Sequence, residues 1–200
     1  MSFPGRLAIA TRNAGKIREI TRICSDWPVD WLVWDETRDW PEVEETGDTY
    51  LANALLKARA VARVAGVPAI ADDSGIEVDA LGGGPGSRSA RYAGEDATDE
   101  ANLKELLRAV AGVPAAGRTA RYRCVAAIAY PDGAELHSEA TCEGVLISKP
   151  RGARGFGYDP IFVPEGWGES MAELTDEQKD RISHRGRAFR ALRKEIAKQP

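Results

Sequence analysis

Residues 67–75 read VPAIADDSG, an apolar segment that closes on two adjacent carboxylates, Asp72 and Asp73. The glycine-rich run GGGPG (82–86) and the segment SARYAG (89–94) follow close behind. A short apolar run bounded by turn formers reads as a buried strand, here over residues 67–72, that runs out into a loop at the aspartates. Paired acids at a strand end are where a phosphate-handling enzyme would hang a metal ion, although the same pair also suits a solvated turn. Neighbouring side chains along a strand point to opposite faces, so only one of the two aspartates would line a site fully.

Upstream, the apolar residues 7–10 break at Thr11-Arg12-Asn13, after which Ile17, Ile20 and Ile23 recur every three residues. That pattern is strand, loop, helix. Residues 31–34 suggest a second strand, followed by an acidic loop over 35–47 that carries Glu42, Glu44 and Glu45. Alanine, leucine and the spacing of Leu51, Leu55, Ala58 and Ala62 mark a helix over 49–65, on which Asn53 and Lys57, four apart, project together. Downstream, residues 102–110 read as a helix, and 118–130 and 134–147 as a long antiparallel hairpin about Pro131-Asp132-Gly133. A second glycine-rich loop (152–157) leads into FGYDPIFV. Thr175 with Gln178 is a capping-box signature, and Ser183 can open a final helix with Phe189, Leu192 and Ile196 on one face. Strands joined by helices, together with a hairpin, predict an α/β fold with a mixed sheet in a single domain spanning residues 1–200.

The chain has 200 residues, of which 43% are apolar and 29% charged, enough to bury a sizeable core. A net charge of -4 and a pI near 5.4 argue against bulk binding to nucleic acid or an anionic membrane, so a polyanionic ligand must meet a local basic pocket. The three cysteines lack both C-x-x-C spacing and an even count, and read as reduced buried thiols. The N-terminus offers an apolar run too short for a signal-peptide core, which points to the cytoplasm.

Two histidines cannot build a multi-histidine zinc or iron centre. Gly15-Lys16 is followed by Ile17 rather than a hydroxyl residue, so it is not a Walker A loop, and no G-x-S-x-G elbow is present. What remains is a set of lysines (Lys16, Lys57, Lys179) and clustered acids (Glu44, Glu45, Asp72, Asp73). Cleavage of a magnesium-bound triphosphate would use such a set: charge neutralisation, oxygen ligands and a base that orients water.

The segments ATRNAGKIREI (10–20), EETGDTYLANALLKA (44–58), ADDSGIEVDALGGGPGSRSARYAGEDAT (71–98), GFGYDPIFVPEG (155–166) and MAELTDEQKDRISHRGRA (171–188) resemble, in order, those of the inosine triphosphate pyrophosphatases. The resemblance implies an elongated, long mixed β-sheet flanked by helices, two lobes with a central active-site cleft, and a homodimer. It implies Mg2+ as cofactor and a purine nucleoside triphosphate (ITP, dITP or XTP) as substrate, cleaved to the monophosphate and pyrophosphate. Thr11, Arg12, Asn13, Ala14, Gly15 and Lys16 would wrap the triphosphate, and Lys57 would face it. Glu44 and Asp73 would hold the metal, with Asp73 also the proton acceptor, Asp72 its rival, and Ser74 a substrate contact. Phe156, Gly157, Tyr158 and Asp159 would receive the base, with Lys179, His184 and Arg185 closing the pocket. A guanidinium such as that of Arg185 would select a 6-oxo purine over adenine, which presents a donor there instead. The rival readings are a catalytically silent nucleotide-binding regulator and a pyrophosphatase for another modified nucleotide. The tryptophans at 27, 31, 34 and 40 suggest core packing, with an interface as the lesser alternative.

Overall fold

In chain order the elements are β1 (Arg6–Ile9), α1 (Ala14–Ile23), β2 (Asp30–Leu32), α2 (Tyr50–Ala65), β3 (Ala69–Val78), α3 (Asp99–Ala109), β4 (Thr119–Ala129), β5 (Glu135–Leu146), β6 (Phe162–Pro164), α4 (Asp176–Ile182) and α5 (His184–Ala197). This is a computed structural model that describes residues 3–35 and 40–198; positions 36–39 of the acidic loop lie outside the described residues. The strands form one mixed sheet in the order β2-β1-β3-β4-β5-β6. β1 runs parallel to β2 and β3, with Ile9 opposite Ile70, and β5 and β6 are antiparallel, with Val145 opposite Val163.

The helix ends follow local chemistry. The Asn13 side chain accepts the Lys16 backbone N–H to start α1, and Thr49 accepts that of Ala52 to start α2, which stops at Gly66 in the left-handed conformation. Thr175 and Gln178 form the full capping box expected at α4.

Three expected boundaries differ. β2 covers 30–32 rather than 31–34. α3 starts at Asp99 because Thr98 caps the Ala101 N–H, a start signal upstream of the apolar periodicity. β3 does not end at the aspartates: it continues to Val78, so Asp72 and Asp73 sit mid-strand. Past the polar DDS the alternation resumes, Ile76 and Val78 being fully buried. Gly75 allows this passage, since a Cβ there would lie 2.0 Å from the Gly86 carbonyl oxygen.

The chain divides into two compact units. The first comprises the chain up to Asp73, Cys124–Ala140 and the chain from Arg185 onward. Within it Leu7, Ile9, Ile70, Cys124, Ala126 and Ile128 pack with Ile20 of α1 and Phe189, Leu192 and Ile196 of α5. Ala8, Ala69 and Ala71 pack instead with Ala58, Val61 and Ala62 of α2. The alternation of strand side chains assigns each residue its layer, and small alanines let α2 approach closely. Trp27 and Trp40 are buried in these two clusters and Trp31 and Trp34 pack against them, which makes them core residues.

The second unit is Ser74–Arg123 and Thr141–His184. Its core joins Ile76, Val78, Ala120, Tyr122, Cys142 and Leu146 from the strands to Leu103, Leu106 and Val110 near α3, with Ile161, Phe162, Met171 and Leu174. All three cysteines are buried thiols outside any disulfide.

Candidate active site

In the first unit the alternation of β3 gives the two aspartates different partners. Asp72 shares its parity with Ile70 and meets the α1 and α5 layer. Its Oδ2 lies 3.2 Å from Lys16 Nζ and accepts from Arg185 Nη2 at 3.0 Å and Nε at 3.3 Å. Arg185 Nη1 in turn donates to Glu19 Oε2 on α1 at 2.5 Å, and Arg185, Glu19 and Asp72 are all buried. Burial works to raise the Asp72 pKa, but Arg185, then Lys16 and Lys57, outweigh it and hold the carboxyl far below the usual range. Asp72 is thus fixed as an anion of low basicity.

Asp73 shares its parity with Ala71 and meets α2. Lys57 Nζ donates to its Oδ1 at 3.1 Å, and Asn53 Nδ2 to its Oδ2 at 3.3 Å. The Lys57 ammonium also donates to Glu45 Oε1 at 2.7 Å. Burial works to lower the Lys57 pKa; Asp73, Glu45 and Asp72 together outweigh this and keep it above the ordinary lysine value. Asn53 and Lys57 thus project together, as their spacing on α2 indicated, and they converge on one carboxylate. Asn53 Oδ1 also accepts the Gly47 N–H at 2.8 Å, which ties the acidic loop to α2.

The loop before α1 borders a pocket lined by Thr11, Arg12, Trp40, Glu42, Val43 and Lys57. Trp40 Nε1 donates to the Ile9 carbonyl at 3.1 Å, and the Arg12 guanidinium donates to the Trp40 carbonyl, which fixes the pocket wall. Asn13 caps α1, and Ala14 and Gly15 form its first turn, where backbone N–H groups and the helix dipole favour anionic oxygens.

The ion pairs link four carboxylates (Glu19, Glu45, Asp72, Asp73) to three cations (Lys16, Lys57, Arg185), since Lys16 and Arg185 share Asp72 while Lys57 joins Glu45 to Asp73. A hard divalent cation fits this set: Asp73 and Glu45 already converge on one positive centre, the Lys57 ammonium. Magnesium is commonly held by one or two carboxylates, with phosphate and water oxygens completing its shell. Among the described residues no group of three or more His, Cys, Asp and Glu is arranged to hold a metal by itself. Glu44 is exposed, and it is Glu45 that pairs with Lys57.

The second unit holds a different cluster. Asp159, buried in a short 3-10 turn (Asp159–Ile161), accepts the Phe156 N–H on Oδ2 at 2.9 Å, and the buried Lys179 ammonium donates to the same oxygen. Lys179 Nζ lies 5.2 Å from the Phe156 ring centroid, within cation–π range. Gly155 lacks a Cβ that would otherwise sit 2.0 Å from Asp159 Oδ2. The Gly157 N–H donates to Asp99, and Tyr158 donates its hydroxyl proton to the Ser89 carbonyl at 2.7 Å. His184 stacks on Tyr122 with centroids 4.6 Å apart and planes 7° from parallel.

The structure therefore groups Phe156, Asp159 and Lys179 as the sequence motifs suggested, and places His184 against Tyr122. Ser74, which follows Asp73 along β3, is partly buried. Arg185, grouped with the base-binding residues by resemblance, pairs with Asp72 and Glu19. Glu19 and Tyr122 escaped the sequence reading, whereas Glu45 stood there among the clustered acids. Only Glu19 left a usable signal, an acid three residues after Lys16 on the same helix face.

A model of the Ham1 family matches residues 7–195. A dITP/XTP pyrophosphatase of Geobacter sulfurreducens is 48% identical over 97% of this chain and 98% of its own length. One from Streptomyces coelicolor is 51% identical over 94% of both chains. The structure of a HAM1 protein from Coxiella burnetii superposes with a TM-score of 0.85 at 36% identity, covering 97% of this chain and 99% of that one.

Proposed function

The chain belongs to the Ham1 family, and from that premise we propose that it hydrolyses the nonstandard purine nucleoside triphosphates ITP, dITP and XTP to the monophosphate and pyrophosphate. This removes such bases from the pool before they enter DNA or RNA. Near-full-length identity of about half to dITP/XTP pyrophosphatases supports the reading. The observation that carries it is the environment of Asp73: a mid-strand carboxylate whose oxygens are taken by Lys57 and Asn53, with Glu45 on the same ammonium.

In this reading the loop and first turn of α1, Thr11 to Lys16, receive the triphosphate, their N–H groups and the Lys16 ammonium neutralising charge. Lys57 faces the same anion. Asp73, with Glu44 and its neighbour Glu45, would hold Mg2+, which supplies Lewis-acid stabilisation of the phosphate oxygens. Asp73 rather than Asp72 orients the attacking water and takes its proton, because three cations hold Asp72 as a weakly basic anion. Water then displaces pyrophosphate at the α-phosphorus, a reaction driven mainly by positioning and charge stabilisation. Phe156 offers a face on which a purine stacks, and Ser74, Gly157, Tyr158, Asp159, Lys179 and His184 complete the substrate contacts. Arg185, which also holds Asp72 in place, closes the base pocket with Lys179 and His184.

A homodimer and residence in the cytoplasm, where the nucleotide pool lies, complete the proposal; both are supported by family resemblance, and sedimentation of the purified protein tests the first. The test of the chemistry is cleavage of dITP with Mg2+ in 18O-water. Label in dIMP, with unlabelled pyrophosphate, is expected. Label in pyrophosphate, release of orthophosphate, or binding without turnover would refute it.

A further inference from the structure

We propose that Tyr122 is a positioning residue of the base pocket, holding His184 by its ring and Asp159 by its hydroxyl. The inference rests on the assignment of Phe156, Asp159, Lys179 and His184 to the base and goes beyond it, since no motif contains Tyr122.

Tyr122 lies on β4 with 7% of its surface exposed. One face of its ring lies nearly parallel to the His184 imidazole, 4.6 Å away at 7°, while Phe162 packs against the ring at 4.7 Å and 58°. The phenol donates to Asp159 Oδ1 at 3.3 Å. The other oxygen of that carboxylate holds both the Phe156 N–H and the Lys179 ammonium. One buried side chain therefore reaches each polar group of the cluster, directly or through Asp159.

A residue serving only to fill the core would need neither contact. Phenylalanine would occupy the same volume, and a parallel stack on a polar heterocycle is a geometry that fixes ring orientation. The two contacts differ in weight. At 3.3 Å the hydroxyl bond is longer than the usual O–H···O range, so the stack carries the larger share. Removing the ring should therefore cost more than removing the oxygen. The cost should fall on how the base is held, since His184 and Asp159, which Tyr122 contacts, are both assigned to the base.

The experiment compares dITP and dATP hydrolysis by wild type, Tyr122→Phe and Tyr122→Leu, reading kcat and KM separately together with the ratio of kcat/KM for the two substrates. That ratio does not depend on the fraction of active enzyme, so a merely structural loss leaves it unchanged. Expected for Leu is a KM for dITP raised about tenfold, kcat within about threefold, and a discrimination ratio lowered about tenfold; Phe should recover most of this, with KM raised about two- to threefold. A Leu variant with wild-type KM and ratio overturns the inference. If Leu does not fold, Phe decides, and an unchanged KM for dITP overturns it. A wild type that fails to distinguish dITP from dATP overturns the base-site assignment and this inference together. A discriminating wild type matched by its Leu variant overturns this inference alone.

Discussion

The two clusters are built from opposite materials. Around Asp72 and Asp73 the first unit gathers the carboxylates of Glu19 and Glu45 and the cations of Lys16, Lys57 and Arg185, mostly buried and cross-paired. Around Asp159 the second unit balances one acid against one lysine and surrounds the pair with rings, Phe156, Tyr122 and His184. Buried ion pairs contribute little net stability because desolvation offsets their attraction, so a dense network of them marks a place where charge must be handled. Aromatic faces with one balanced pair suit a flat, neutral ligand. The contrast matches the proposed division between charge neutralisation and ring recognition.

Substitutions sharpen that contrast. Asp73→Asn should lower kcat on dITP by at least about 100-fold, roughly 2.7 kcal/mol of transition-state stabilisation, with Tm little changed. Near-normal turnover would remove Asp73 from its assigned role. Lys57→Ala should lower kcat/KM by about 30-fold, well beyond the effect of an exposed lysine such as Lys104, and steady-state kinetics on the two variants settles it. Phe156→Ala should act differently, raising KM by about tenfold with kcat nearly intact, as loss of a stacking face predicts. If the kcat and KM effects were shared evenly between the clusters, the division of labour would fail.

Acid acts on stability rather than on turnover. The folded Asp72 carboxyl is held below its ordinary value of 3.8, so its stabilisation is fully present above about pH 4 and is lost as pH falls further. Urea unfolding should show wild type more stable than Asp72→Asn by about 3 kcal/mol at neutral pH, since the variant strands buried cations, with the gap narrowing below pH 4. A gap independent of pH would mean that Asp72 does not titrate as described.

Much of this was legible in the chain. Helix α2 announced itself through its alanines and leucines, and the four-residue spacing of Asn53 and Lys57 placed both on one stripe, where they do meet Asp73. Thr175 and Gln178 gave the start of α4, and Pro131-Asp132-Gly133 the hairpin turn. The path of β3 was obscured because Asp72-Asp73-Ser74 interrupts the apolar alternation that reveals a strand, and the cations that satisfy Asp72 come from residues 56 and 113 positions away. Glu19 looked like a surface acid, because glutamates are seldom buried unless paired and its partner lies 166 residues downstream. Glu45 could not be told from Glu44, since the direction of each side chain in an irregular loop is set by tertiary contacts. Tyr122 lay unremarked within the hairpin arm 118–130, and the stacked imidazole and the bond to Asp159 distinguish it.

The most direct measurement is pyrophosphate release with Mg2+ from ITP, dITP and XTP beside ATP, GTP and a pyrimidine triphosphate. The account predicts fast turnover confined to the first three, abolished by chelating the metal. Equal turnover of ATP, or saturable binding of dITP with no pyrophosphate formed, would contradict it.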